Sequence, residues 1–214
     1  MAGSLLFALL MGAAPAPAQP SRLPPVDRCA SDRSFAEFRR RLLAAIDRQN
    51  TAFVLAVVTD DIRVDFGGGE GREDFRQAWR LDRPETSSLW RELGAALRLG
   101  CARTPAQEGD PAMFWAPSLF VQLDVEDPYS SYVALPGAVL RSAPRADAPV
   151  VAPLDWHVLT TPAIDGDSAW PRVRLADGRA GYVRRTQIRS SIDYRAGFAK
   201  IRGRWRMKYF LAGD

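Results

Sequence analysis

Trp170-Pro171-Arg172-Val173-Arg174-Leu175-Ala176-Asp177-Gly178-Arg179-Ala180-Gly181-Tyr182-Val183 contains two short β runs around a tight turn. Residues 170–175 and 180–183 are the runs. Asp177-Gly178 joins them with residues that tolerate positive φ, as two-residue hairpin turns require. Working outward, similar runs occur at 139–141, 149–154 and 157–161. Turn signals separate them at the roughly 8–12-residue spacing of a small all-β barrel.

Downstream, 194–201 and 204–211 read as two strands joined around Arg202-Gly203. Period-two spacing puts Trp205, Met207, Tyr209 and Leu211 on one face, and Arg204, Arg206 and Lys208 on the other. Upstream the period changes. Phe35, Phe38, Leu42, Leu43 and Ile46 fall at helical spacing, and Ser31 or Ser34 can cap that helix. Thr51 opens a second short helix with an apolar run to Val58. Ile62, Val64 and Phe66 then alternate with Arg63 and Asp65 as a half-buried strand, ended by Gly67-Gly68-Gly69-Glu70-Gly71. Residues 73–81 look helical, and Ser87 or Ser88 caps another helix built on Leu89, Trp90, Leu93 and Leu97. Residues 114–123 read as a buried strand interrupted at Pro117, and residues 124–131 as a domain boundary.

With 47% hydrophobic residues, six Trp and ten Phe in 214 residues, the chain can bury a real core. Its formal charge of +4 bears on solubility and defines no function. Residues 1–18 carry no charge. A short apolar run from Leu5 to Met11 leads to Ala16-Pro17-Ala18, which fits the small-x-small rule for signal cleavage before Gln19. The run is shorter than the roughly 20 residues that span a bilayer. The customary Lys or Arg ahead of the run is missing, so a cytoplasmic Ala/Pro terminus is the alternative. Export is the expectation: a periplasmic or secreted protein with no lipid anchor at Cys29 and no transmembrane segment after cleavage. Two cysteines in an oxidising compartment imply a Cys29–Cys101 disulfide, against the alternative of two separate buried thiols. Such a bridge contributes about 4 kcal/mol in the chain-entropy picture.

Residues 132–190 resemble the bacterial SH3-like (SH3b) family. The resemblance rests on 137–144, with an opening strand and an Arg-x-x-Pro turn at Arg141 to Pro144, on 150–154, and on the closing pattern from Trp170 through Gly178 and Gly181-Tyr182-Val183. A second resemblance covers the flanks. Two helices followed by 60–68 look like the start of a nuclear-transport-factor-2-like or SnoaL-like α+β cone, and 198–207 are similar to its last hairpin. Two arrangements stay open: the SH3-like unit inserted into an interrupted α+β domain, or a hairpin docked on the barrel. The expected class is α+β. It comprises a signal peptide (1–18), a linker (19–32), a helix-rich α+β domain (33–128), an SH3-like barrel (129–190) and a C-terminal hairpin (191–214) that either completes the N-terminal domain or stands apart from it.

The residues supply little catalytic machinery. His157 is the one histidine and reads as structural. No Gly-x-Ser-x-Gly elbow accompanies it, and one histidine with two cysteines cannot build a histidine-rich or four-cysteine zinc site. The glycine run at 67–71 lacks the Gly-Lys-Ser/Thr end of a phosphate loop. Asp60, Asp61, Asp65, Glu70, Glu73 and Asp74 read as caps and turns. The basic face of Arg202, Arg204, Arg206 and Lys208 offers an anion site, with a solvated strand face as the plainer reading. No catalytic residue, metal or cofactor is expected. The SH3-like resemblance implies a partner of the cell-wall peptide or envelope-protein class, and nucleic acid is not expected. Ligand-binding candidates are Trp156, Arg172, Arg184 and Tyr182. Trp156 is expected to be the exposed anchor, with Trp170 and Tyr182 mostly structural. The rival reading is an enzyme or small-ligand binder with a pocket in the α+β domain.

Overall fold

Asp32 opens the first helix: its carboxylate accepts the Phe35 N–H at 3.0 Å, satisfying one orphan donor of the first turn. The cap is thus Asp32 rather than Ser31 or Ser34. Helix α1 (Arg33–Asp47) turns Phe35, Phe38, Leu42 and Ile46 inward. Asn50 caps α2 (Thr51–Val57) in the same manner. Strand β1 (Val58–Arg63) follows, then α3 (Arg72–Ala78) and α4 (Leu89–Arg98). The computed structural model describes residues 21–106, 111–123, 127–161 and 168–213. The signal-peptide reading of 1–18 and residues 124–126 of the expected boundary lie outside the described residues.

Two short strands, β2 (Ala102–Thr104) and β3 (Met113–Ala116), come next. The expected strand over 114–123 stops at Pro117, which has no N–H to donate. Residues 119–122 instead form the short helix α5 (Leu119–Gln122). Seven strands then run from β4 (Ser131–Ala134) through β5 (Ala138–Arg141), β6 (Val150–Leu154), β7 (Val158–Thr160), β8 (Arg172–Leu175) and β9 (Ala180–Tyr182) to β10 (Ile188–Ser190). The hairpin of β11 (Arg195–Ile201) and β12 (Arg204–Leu211) ends the fold.

The architecture is α+β with two sheets. The first has the order β1-β12-β11-β3-β2, with β1 parallel to β12 and the other pairs antiparallel. Its middle strands come from the C-terminal hairpin, so chain on both sides of the second sheet builds one layer. The second sheet has the order β10-β4-β7-β8-β9-β5-β6, and no pairing among the described residues closes it.

Phe35, Phe38, Phe114, Phe198 and Trp205 meet in tilted and edge-on pairs with centroids 4.8–5.9 Å apart. Trp79, Tyr194 and Phe210 form a second group. Each fully buried ring of this kind contributes about 1.5–3 kcal/mol. These rings pack between the helices and the first sheet.

A β-bulge departs from the expected alternation in β12. Gly197 faces Tyr209 and Phe198 faces Met207, so Lys208 has no opposite residue. Beyond it the faces exchange. Met207 and Phe210 point to the helices, while Tyr209 lies on the other side with its ring 5.4 Å from that of Trp115. The expected single face of Trp205, Met207, Tyr209 and Leu211 is therefore broken at Lys208.

The segment read as a linker makes backbone pairings at both sheets. The Leu23 N–H donates to the Trp156 carbonyl at 2.7 Å, and the Val158 N–H to the Ser21 carbonyl at 3.1 Å. Farther along, the Arg28 N–H donates to the Cys101 carbonyl and the Cys101 N–H to the Val26 carbonyl. Cys29 and Cys101 are bonded, with Cα atoms 5.5 Å apart, and both are buried. Among the described residues no helix is long and apolar enough to cross a membrane.

Candidate functional site

Strands β5, β9 and β8 lie side by side, and one face of each goes into the second core. Leu140, Val173, Leu175 and Val183 are buried there with Leu154, Leu159 and Ile188. Alternation sends their neighbours outward. Arg141 is opposite Tyr182, and Tyr182 is opposite Arg172, so one row across three strands reads Arg141, Tyr182, Arg172. Arg174 follows Arg172 on the same side of β8 and is exposed.

Gly181 lets these strands come together. A Cβ there would lie 2.4 Å from the Arg141 carbonyl oxygen. Gly178, at φ +89°, makes the preceding turn.

At one end of the row, Arg184 stacks over Trp170, its guanidinium carbon 5.2 Å from the ring centroid. An open depression of about 240 Å³ lies here, lined by Trp170, Arg184, Arg141, Val139, Thr186 and Gln187 among others. Arg141 is held by a 2.7 Å hydrogen bond to the Ala148 carbonyl. Arg172, Arg174 and Arg184 are exposed, and none has a carboxylate partner among the described residues. The face therefore combines fixed positive charge with a half-buried indole and a half-buried phenol.

Of the expected binding residues, Arg172, Tyr182 and Arg184 fall on this face. Trp156 does not. It is half-buried, with φ +54°, and packs against Leu23, Leu119, Leu123, Val133 and Val158. That cluster joins the N-terminal strap, α5 and the second sheet. Trp156 is thus mainly a packing residue, while Trp170, expected in the core, belongs to no apolar cluster. The sequence signal for the exchange is the alternation itself: Trp170 shares parity with outward Arg172 and Arg174, not with Val173.

His157 accepts the Asp155 N–H through Nδ1 at 3.0 Å, a turn contact. Asp65 accepts the Gly69 N–H at 2.8 Å and holds the glycine-rich turn. Two arginines are buried where the chain passes between sheets. Arg189 donates to the Tyr194 carbonyl, and burial pushes its guanidinium below its ordinary value against the favourable charges of Asp193 and Glu92. Burial pushes the Tyr194 phenol up, and the Glu92 charge adds to this. Arg195 lies 4.6 Å from the Phe120 ring centroid. These groups are enclosed and fix the junction. Among the described residues no group of three or more His, Cys, Asp or Glu side chains is placed to hold a metal ion.

No family model matches the chain, and neither the curated proteins nor the solved structures include a significant match.

Proposed function

We propose that this chain is an exported, non-catalytic protein of the cell envelope. Its second sheet is an SH3-like module that binds cell-wall peptide through the Trp170–Arg184 face. The observation that carries this reading is the pairing of a half-buried indole with arginines that have no carboxylate partner among the described residues. A cell-wall peptide presents carboxylates and short aliphatic side chains. Guanidinium groups recognise carboxylates in bidentate fashion, and an indole offers a rigid apolar platform beside them. The short strands, the Asp177-Gly178 turn and the close approach at Gly181 support the SH3-like assignment. The Cys29–Cys101 bond supports an oxidising compartment. The aromatic filling between the helices and the first sheet weighs against an enclosed apolar pocket in that interior.

Sedimentation with purified peptidoglycan tests the proposal. The whole protein is expected to co-sediment, and Trp170→Ala to bind about tenfold more weakly, within the range of interface hot spots. Arg184→Gln should weaken binding in the same direction. Absence of wild-type binding, or equal binding by Trp170→Ala, would overturn the proposal.

A further inference from the structure

The first module carries a separate basic cleft at the tip of the β11–β12 hairpin. Two open depressions flank this tip. One, of about 830 Å³, is lined by Val58, Asp60, Asp61, Arg72, Ile201 and Arg202 among others. The other, of about 430 Å³, lies between the tip and helices α1 and α2, against Phe38, Arg41, Phe53 and Lys200. Arg204 and Arg206 line both, so the two depressions adjoin at these side chains and make up a basic trough beside the hairpin.

Its wall is fixed. The Trp205 Nε1–H and the Lys200 ammonium both donate to the Ser34 hydroxyl, at 2.9 and 3.1 Å, and that hydroxyl donates to Asp32 at 2.6 Å. Arg206 donates to the Ala56 carbonyl of α2. At the far end Arg72 pairs with Asp60 at 3.1 Å and donates to the Val58 carbonyl at 3.2 Å. Arg41 pairs with Glu37 at 3.8 Å. Arg202 and Arg204 are exposed and have no partner among the described residues; Asp61 is the one carboxylate lining the trough without one.

We infer that this trough binds a linear polyanion along the hairpin. Arg204 and Arg206 lie two apart on β12, where such residues are separated by roughly 6.6 Å, and Arg202 precedes them in the turn at φ +48°. Cations repeated at such intervals in an open trough suit a chain of repeated charge better than one compact ion, for which donors converge. A flat bilayer meets a projecting tip, whereas here Arg204 and Arg206 line a concave surface. This inference does not rest on the proposed peptide site, which lies on the other sheet.

The test uses the whole protein with long-chain inorganic polyphosphate as the probe. Arg202→Gln/Arg204→Gln is compared with Arg145→Gln/Arg179→Gln, which removes the same charge from the second module. Wild-type protein and the control pair are expected to bind alike. The hairpin pair should bind at least about tenfold more weakly and with a shallower dependence on salt, since fewer counterions are released. Equal weakening by both pairs would show net charge alone and overturn the site. So would failure to bind polyphosphate, competition by orthophosphate at equal phosphate concentration, or binding to phosphatidylglycerol vesicles in place of the polymer. Peptidoglycan sedimentation by the hairpin pair should stay at the wild-type level, which separates this site from the Trp170 face.

Discussion

Trp170 holds the Arg184 guanidinium 5.2 Å from its ring centroid and takes part in no apolar cluster, so its removal leaves little cavity. Trp156, by contrast, touches the strap, α5 and two strands of the second sheet. Trp170→Ala should therefore change stability by less than about 1 kcal/mol, while Trp156→Ala costs about 2–4 kcal/mol through its cavity. Thermal melts of the two variants check this. An unfolding midpoint lowered more by Trp170→Ala would reverse both assignments. Gly181 is the other decisive residue. A Cβ 2.4 Å from the Arg141 carbonyl oxygen meets backbone, which cannot swing aside as a side chain does. Gly181→Ala should cost about 1–3 kcal/mol by separating β9 from β5. Denaturant unfolding measures it, and a neutral result would show that the strands can yield there. The sequence carries part of this information. A glycine before Tyr182 marks a close approach, but not which carbonyl it approaches. The side taken by each tryptophan depends on where its strand begins.

Helix α1 is tied to the hairpin at its first turn, because Asp32 both caps the helix and accepts from the Ser34 hydroxyl that receives Trp205 and Lys200. The Ser34 hydroxyl first, then the Phe35 N–H, hold the Asp32 carboxyl below the ordinary carboxylate range, with the Lys200 charge adding to them. A depressed folded pKa means that the contribution is present above the unfolded value, about 4, and is lost as pH falls through the folded value. Asp32→Ala should cost about 1 kcal/mol at neutral pH as a lost cap. Asp32→Asn keeps an acceptor and should be nearly as stable as wild type at pH 7, with a shallower loss of stability below about pH 4. Because the carboxylate is close to solvent, that acid-linked share is small. Chemical denaturation at pH 7 and pH 3 separates the two effects, and an acid limb identical in Asp32→Asn would exclude it. The helices were legible because their apolar period is carried by consecutive residues such as Phe35, Phe38 and Leu42. The bulge at Lys208 was not, because it arises from pairing with β11, and nothing within β12 itself records a skipped partner.

The two sheets are joined by more than the chain that runs between them. Residues 21–23 pair with Trp156 and Val158 of the second sheet, and residues 26–28 pair with Cys101 beside the first. The Val26 N–H is shared between the Ser118 hydroxyl and the Gln122 side chain, at 3.1 and 3.3 Å, while Arg22 pairs with Asp155. This stretch has the proline content of a linker, and its composition hides its role because the backbone partners that tie it to the two sheets lie more than 70 residues away. Its anchor is the Cys29–Cys101 bond, which closes a separation of 72 residues. Cys29→Ser/Cys101→Ser should lower stability by about 4 kcal/mol if the chain-entropy account holds. A sharper consequence follows from the position of the bond. Released at Cys29, the strap keeps its backbone pairs, its contacts through Arg22, Val26 and Asp27, and Leu23, but loses its one covalent tie, so opening at that end should become easier than opening of either core. Hydrogen exchange of the Leu23 and Val158 amides should accelerate in the double variant under native conditions. Exchange in the α4 and β11 amides should rise only by the factor set by global stability. Equal acceleration everywhere would mean that the bond acts through the unfolded chain alone. Unchanged exchange at Leu23 and Val158 would mean that the strap is held by its own pairing and does not depend on the disulfide.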